Sequence, residues 1–110
     1  LTAGVNVTSA NPLERDIEKA VVRKALMLYG VQSSKLTSPA NNGLPDRIFW
    51  IKGGKPLLIE FKRKGQTPRP NQQYVIDMLR KEGYAVEVHD NITTALASIA
   101  LHAGVGGNHD

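Results

Sequence analysis

The chain contains no cysteine. A disulfide framework and a thiolate zinc site are therefore excluded, and a reducing cytosol is compatible. Aromatic residues are few: two Phe, three Tyr and one Trp. No stacking platform of the kind that reads single-stranded RNA is evident among them. No apolar run approaches membrane-spanning length, and no signal-peptide pattern is visible. Acidic residues are in deficit. Fourteen Lys plus Arg face ten Asp plus Glu, giving a net charge of +4 and a pI near 9.6. That balance suits a polyanionic partner without establishing one. Internal repeats and low-complexity tracts are also missing, and 110 residues suffice for one domain with a modest core.

What the chain does have is concentrated between Gly43 and Lys62. Gly43-Leu-Pro-Asp46 leads into the apolar run Arg47-Ile-Phe-Trp-Ile51. After Lys52-Gly-Gly-Lys55 comes Pro56-Leu-Leu-Ile-Glu60-Phe-Lys62. The pattern predicts a β-hairpin, with Gly53-Gly54 supplying the positive φ angles of a tight turn. Leu57, Leu58, Ile59 and Phe61 occupy both sides of the second strand, as in a central strand covered on both faces. Side chains alternate along a strand, so Glu60 and Lys62 share one side. The hairpin then brings Asp46 to Glu60. Two adjacent carboxylates repel unless a cation lies between them. Mg²⁺ or Mn²⁺, hard cations that prefer oxygen ligands, suit such a pair. A metal there polarises a phosphate and generates hydroxide from water, and Lys62 offsets developing charge. Charges ending so apolar a strand are costly unless paired or metal-bound. By itself, Glu-x-Lys marks only a solvated strand face and Gly-x-Pro-Asp only a turn; their conjunction points to function.

Pro45-Asp46, thirteen intervening residues and Glu60-Phe61-Lys62 resemble the PD-(D/E)xK nuclease signature. With Gly43-Leu44, Ile59 and Pro70-Asn-Gln72 added, the chain is similar to the VRR-NUC branch (virus-type replication-repair nucleases) over about residues 14 to 90. The resemblance implies that Asp46, Glu60 and the main-chain carbonyl of Phe61 hold Mg²⁺ or Mn²⁺. Lys62 positions the attacking water, and a helix-1 acid completes the site. Both Glu14 and Glu18 are candidates. Glu14 lies three residues after Asn11, where it would alternatively close a capping box. The resemblance also places Gln72 near the site, with Gln73 as its rival by one register.

The rest of the chain is taken in order. Residues 1–10 are expected to form a loose arm, 11–103 the nuclease domain and 104–110 a frayed tail. Asn11-Pro12 starts a helix whose apolar positions include Leu13, Ile17, Val21, Ala25 and Leu28, stopped by Gly30. Residues 31–36 form an edge strand, from which Lys35 faces either the site, a phosphate or open solvent. The loop from Thr37 to Gly43 is polar and precedes the metal carboxylate. Arg63, Lys64 and Arg69 form an exposed basic loop suited to phosphates. A second helix runs from Pro70 or Asn71 to about Lys81, with Tyr74, Val75, Met78 and Leu79 expected inside. Residues 84–89 return as a strand, parallel to the first across such a crossover. Asp90 or Asn91 caps a third helix, from Ile92 to about His102, expected to pack on the sheet. The histidines show no metal-ligand spacing.

The expected fold is an α/β sandwich of restriction-endonuclease-like PD-(D/E)xK type. Its order is helix, strand, strand, strand, helix, strand, helix, with a mixed sheet flanked by helices. The expected activity is metal-dependent cleavage of DNA. The resemblance adds branched substrates such as Holliday junctions, and hence DNA repair in a phage or bacterial setting. Cutting a two-fold junction symmetrically needs two sites, so a homodimer is expected. The expected location is the cytoplasm of a bacterium or phage-infected host, without a membrane partner. A flap-directed or restriction-like nuclease, an RNA-processing nuclease and a non-catalytic basic DNA-binding module are the alternatives.

Overall fold

The computed structural model describes residues 12–40 and 42–105. Helix α1 spans Glu14–Tyr29 and buries Ile17, Val21 and Ala25, spaced one turn apart. Asn11, the expected cap, lies outside the described residues. The N-cap position is Leu13, without a side-chain bond. Glu14 is therefore the first helical residue, not the third, which is the position a capping-box carboxylate takes. Gly30 ends the helix at φ 69°, where its own N–H and that of Val31 close on the carbonyls of Leu26 and Ala25.

A four-stranded sheet follows in spatial order β1 (Ser33–Lys35), β2 (Arg47–Phe49), β3 (Leu57–Phe61) and β4 (Ala85–His89). The first two pairings are antiparallel and β3 runs parallel to β4, so the sheet is mixed as expected. β1 and β2 are shorter than the alternation suggested. Single bonds, Leu36 N–H to Asp46 O and Trp50 N–H to Gln32 O, extend their pairing at each end. The β2–β3 connection is also longer than a tight hairpin, running from residue 50 to 56. Gly53 and Gly54 have positive φ, but within a turn closed by Gly54 N–H on Ile51 O rather than directly between the strands.

Every residue of β3 is buried, in keeping with the apolar Leu57, Leu58, Ile59 and Phe61 on both of its sides. One face carries α1 and α3 (Ile92–His102). Ile17, Val21, Ala25, Ala95 and Ile99 meet Phe49, Leu57, Ile59 and Phe61 there. The other face carries α2 (Pro70–Lys81), where Ile76 meets Leu58 and Val86. The inward stripe of α2 differs from expectation by a fraction of a turn. Gln72, Val75 and Ile76 are buried, with Leu79 partly so, whereas Tyr74 is 72% and Met78 42% exposed. At 100° per residue, 72–75–76–79 is one stripe, and 74 and 78 are rotated off it. This phase is what turns Gln72 into the interior.

Asn91 caps α3, accepting a bond from Thr94 N–H at 2.8 Å. The first two residues of the expected tail are held. Gly104 (φ 75°) and Val105 donate to Leu101 O and Ala100 O, a Schellman closure of α3. Residues 1–11 and 106–110, most of the expected arm and tail, lie outside the described residues. Among the described residues no helix is long and apolar enough to cross a membrane.

Candidate active site

The β2–β3 register pairs Arg47 with Ile59, and one further step sets Asp46 opposite Glu60. Asp46 Oδ2 accepts a 2.7 Å bond from the Phe61 N–H. In an extended strand the N–H and C=O of one residue face the same neighbour. The Phe61 carbonyl is therefore directed to the side where Asp46 sits. Lys62 lies just past β3, its N–H anchored on His89 O at 2.9 Å. Its ammonium donates to Gln72 Oε1 at 2.8 Å and lies 3.4 Å from Glu60 Oε2. Gln72 completes the triangle by donating from Nε2 to Glu60 Oε2 at 2.9 Å. Its Oε1 also accepts the Arg69 N–H at 2.9 Å, which pins the start of α2. Glu60, Lys62 and Gln72 are all at least nine-tenths buried. Gln73, the rival, bonds Asp77 on the helix's outer side.

Burial pushes the Glu60 carboxyl up to about 7. The charge of Asp46 adds to this, while Lys62 and Arg69 oppose it. Burial raises Asp46 as well, against the pull of the Phe61 N–H, and the charge of Glu18 pushes further upward. Two neighbouring carboxyls held up by burial and by nearby negative charge suit a place where a cation can sit between them.

A cleft of about 270 Å³ collects Glu14, Glu18, Lys35, Asp46, Glu60, Phe61, Lys62, Arg69 and Gln72 with Arg15. The two helix-1 acids differ sharply there. Glu14 is exposed at its mouth, whereas Glu18 is buried and engaged. Lys35 bonds both Glu18 oxygens, at 3.0 and 2.9 Å, and Arg47 Nε bonds Oε2 at 2.7 Å. Lys35 thus faces the site. Arg47 was not a sequence candidate. Its only signal is register: Lys35 and Arg47 are cross-strand partners, and two adjacent cations call for a shared anion. Arg63 and Lys64 line no part of the cleft and stay on the loop outside it. That loop is tied down by Gly65 N–H donating to Asp90 Oδ2 at 2.9 Å.

A second cleft, of about 340 Å³, adjoins the first through Asp46, Arg69 and Gln72 and continues along Leu36, Thr37, Ser38, Asn42 and Leu44. The polar loop thereby reaches the carboxylates, as its position before Asp46 suggested. Gly43 allows it to lie close to α2, because a Cβ there would fall 2.8 Å from Asn71 O.

Glu60 Oε1 is the buried side-chain oxygen that has no partner among the described residues. An orphaned carboxylate oxygen beside a second buried carboxylate fits a hard divalent cation. Among the described residues, no third Asp, Glu, His or Cys joins them to complete an all-side-chain cage. Mg²⁺ asks for no such cage, since one or two carboxylates with water and phosphate oxygens suffice. Gln72→Leu is expected to lower cleavage about 10- to 100-fold, the usual cost of losing a group that orients ligands. The measurement is a single-turnover rate alongside a melting curve. An unchanged rate would reduce Gln72 to a helix cap.

The family model described as VRR-NUC domain matches residues 2–90, ending just before α3. A protein of Acyrthosiphon pisum secondary endosymbiont phage 1, named "Putative nuclease p44", is 33% identical over 78 residues, covering 71% of this chain and 83% of that protein. Two solved structures, described as "VRR_NUC domain" and "VRR_NUC domain protein", share the fold. Their TM-scores are 0.70 and 0.71 at 23% and 24% identity, covering 78% and 87% of this chain and 92% of each of theirs. With a match over most of its length and a curated relative at this identity, the chain belongs to the VRR-NUC family of nucleases.

Proposed function

We propose that this nuclease is a divalent-metal-dependent endonuclease that hydrolyses phosphodiester bonds in branched DNA, four-way junctions foremost, as a homodimer. The observation that carries the metal dependence is the buried Oε1 of Glu60 beside Asp46, unpartnered among the described residues. Asp46, Glu60 and the Phe61 carbonyl would hold Mg²⁺ or Mn²⁺. When bound, such an ion polarises the scissile phosphate and lowers the pKa of a coordinated water. Lys62, fixed by Gln72, orients the attacking water and offsets charge gathering on the phosphate. Arg69, at the junction of the two clefts, meets the strand's phosphates. Arg63 and Lys64 extend the positive field outside, so affinity falls steeply with salt. A non-catalytic binding module has no use for this arrangement, since holding Glu60 and Lys62 buried costs stability. The exposed Leu28 and Leu101 supply apolar surface for a second copy; α1 and α3 end beside one another, around Tyr29 and Ala103.

The test is cleavage of labelled four-way junction, flap, duplex and single-stranded DNA, and a matched RNA. Each is run with Mg²⁺, with Mn²⁺ and with EDTA, using Glu60→Gln to control for contaminating nuclease. The expected outcome is symmetric, metal-dependent cutting of the junction by a protein that elutes as a dimer. Preference for a flap, a plain duplex or RNA would keep the site and change the substrate. Equal DNA binding without cutting by wild type and variant would overturn the enzyme reading.

A further inference from the structure

Glu18 raises a question about the number of ions. It is a buried carboxylate in the same cleft as Asp46 and Glu60, near enough for its charge to act on Asp46. A carboxylate so placed is a natural ligand for a second cation in a two-metal phosphodiesterase. Yet the oxygens of Glu18 are occupied. Lys35 bonds both of them, and Arg47 bonds Oε2 from the adjoining strand. Glu60, by contrast, keeps one oxygen open. The cleft therefore has one carboxylate poised for an ion and one already satisfied by the chain's own cations.

We propose that Lys35 and Arg47, gathered on Glu18, fill the position a second divalent ion would take, so that the site works with a single metal. This deepens the metal-dependent reading above and rests on it. One carboxylate against two cations leaves the trio a surplus of positive charge beside Asp46. Arg47, whose side chain is 23% exposed, is the fixed member. The Lys35 side chain is 50% exposed and turns its ammonium into the cleft. There it can donate to a non-bridging or leaving phosphate oxygen as charge develops, the service a second metal performs in two-ion sites. A fixed ammonium needs no recruitment from solution, and its three donors allow it to hold Glu18 and a phosphate at once.

The experiment counts ions directly, by Mn²⁺ titration followed by electron paramagnetic resonance. Wild type, Glu18→Gln, Lys35→Ala and Asp46→Asn are compared, with circular dichroism to confirm folding. Wild type is expected to bind one Mn²⁺ per chain, and Glu18→Gln to keep that site within about threefold in affinity. Lys35→Ala is expected to retain the ion while its single-turnover cleavage falls about 100-fold, as when one transition-state donor is removed. Two ions in wild type, with one lost in Glu18→Gln, would overturn the single-metal proposal and leave the metal-dependent reading intact. Binding that Asp46→Asn does not weaken, or no binding at all, would overturn both. Wild-type cleavage by Lys35→Ala would remove the lysine from the chemistry and sink the substitution idea.

Discussion

Glu60→Gln is expected to abolish cleavage, by about 10⁴-fold or more, while making the metal-free protein less sensitive to alkaline pH. Both effects have one cause. The Glu60 carboxyl is buried beside Asp46 and ionises only near pH 7 in the folded chain, against an ordinary value of 4.5. The folded state therefore holds a proton that the unfolded state has released between those values. Stability that is fully present below pH 4.5 is lost as pH rises through about 7, amounting to about 3 kcal/mol from this group. Glutamine cannot ionise, so the variant lacks that part of the slope. Its melting temperature between pH 5 and pH 8 should fall less than that of wild type by about 10 °C. Adding Mn²⁺ at pH 8 should restore the wild type by mass action and leave the variant unmoved. Parallel pH profiles of melting for the two proteins would mean that Glu60 carries no buried, ion-seeking charge, and the metal reading would lose its main support.

The Asp46–Glu60–Lys62 part of the site was legible because it is local. A hairpin suffices to bring Asp46 near Glu60, and a period of two sets Lys62 on Glu60's side. The connection proved longer than a glycine-pair turn, running over residues 50–56, and it shifts the register by one: a tight turn at Gly53-Gly54 would set Asp46 opposite Phe61, whereas the observed pairing sets it opposite Glu60. Apolar residues on both sides of β3 likewise announced burial on both faces. What pattern could not reach was phase and long-range pairing. Whether Gln72 or Gln73 turns inward depends on the rotation of α2. Its anchors are Val75 and Ile76, while the neighbouring Tyr74 and Met78, large side chains that also carry much apolar surface, stay outside. The choice between Glu14 and Glu18 was closed to sequence for a similar reason. Glu18 is singled out by Lys35 and Arg47, residues that meet it only after α1 lies across the β1–β2 edge. Arg47 went unremarked at the head of an apolar run because the meaning of its charge comes from the strand beside it.

Lys62→Met should separate catalysis from metal binding. Methionine conserves the stem of the side chain and removes the ammonium, so the packing beneath Glu60 changes little. Cleavage is expected to fall about 10³-fold at every pH, since the group proposed to orient water and meet developing charge is gone. The ion should still bind, because the ligands proposed for it, Asp46, Glu60 and the Phe61 carbonyl, remain. It should bind with an altered pH dependence, however. Lys62, by charge and by hydrogen bond, opposes the burial that raises Glu60. Without it the carboxyl gives up its proton only above the wild-type value of about 7, so the midpoint of Mn²⁺ binding shifts to higher pH. Lys62→Arg distinguishes charge from shape. A guanidinium keeps the positive charge and should return the binding midpoint towards wild type. Its planar fork cannot take the place of a compact ammonium 2.8 Å from Gln72 Oε1, so the rate should stay low. Single-turnover rates and metal titrations across pH 5.5 to about 9 measure both quantities on the same proteins. A Lys62→Met protein that cuts at the wild-type rate would confine the lysine to balancing Glu60. One that loses the ion altogether would make Lys62 part of the metal site's architecture rather than of its chemistry.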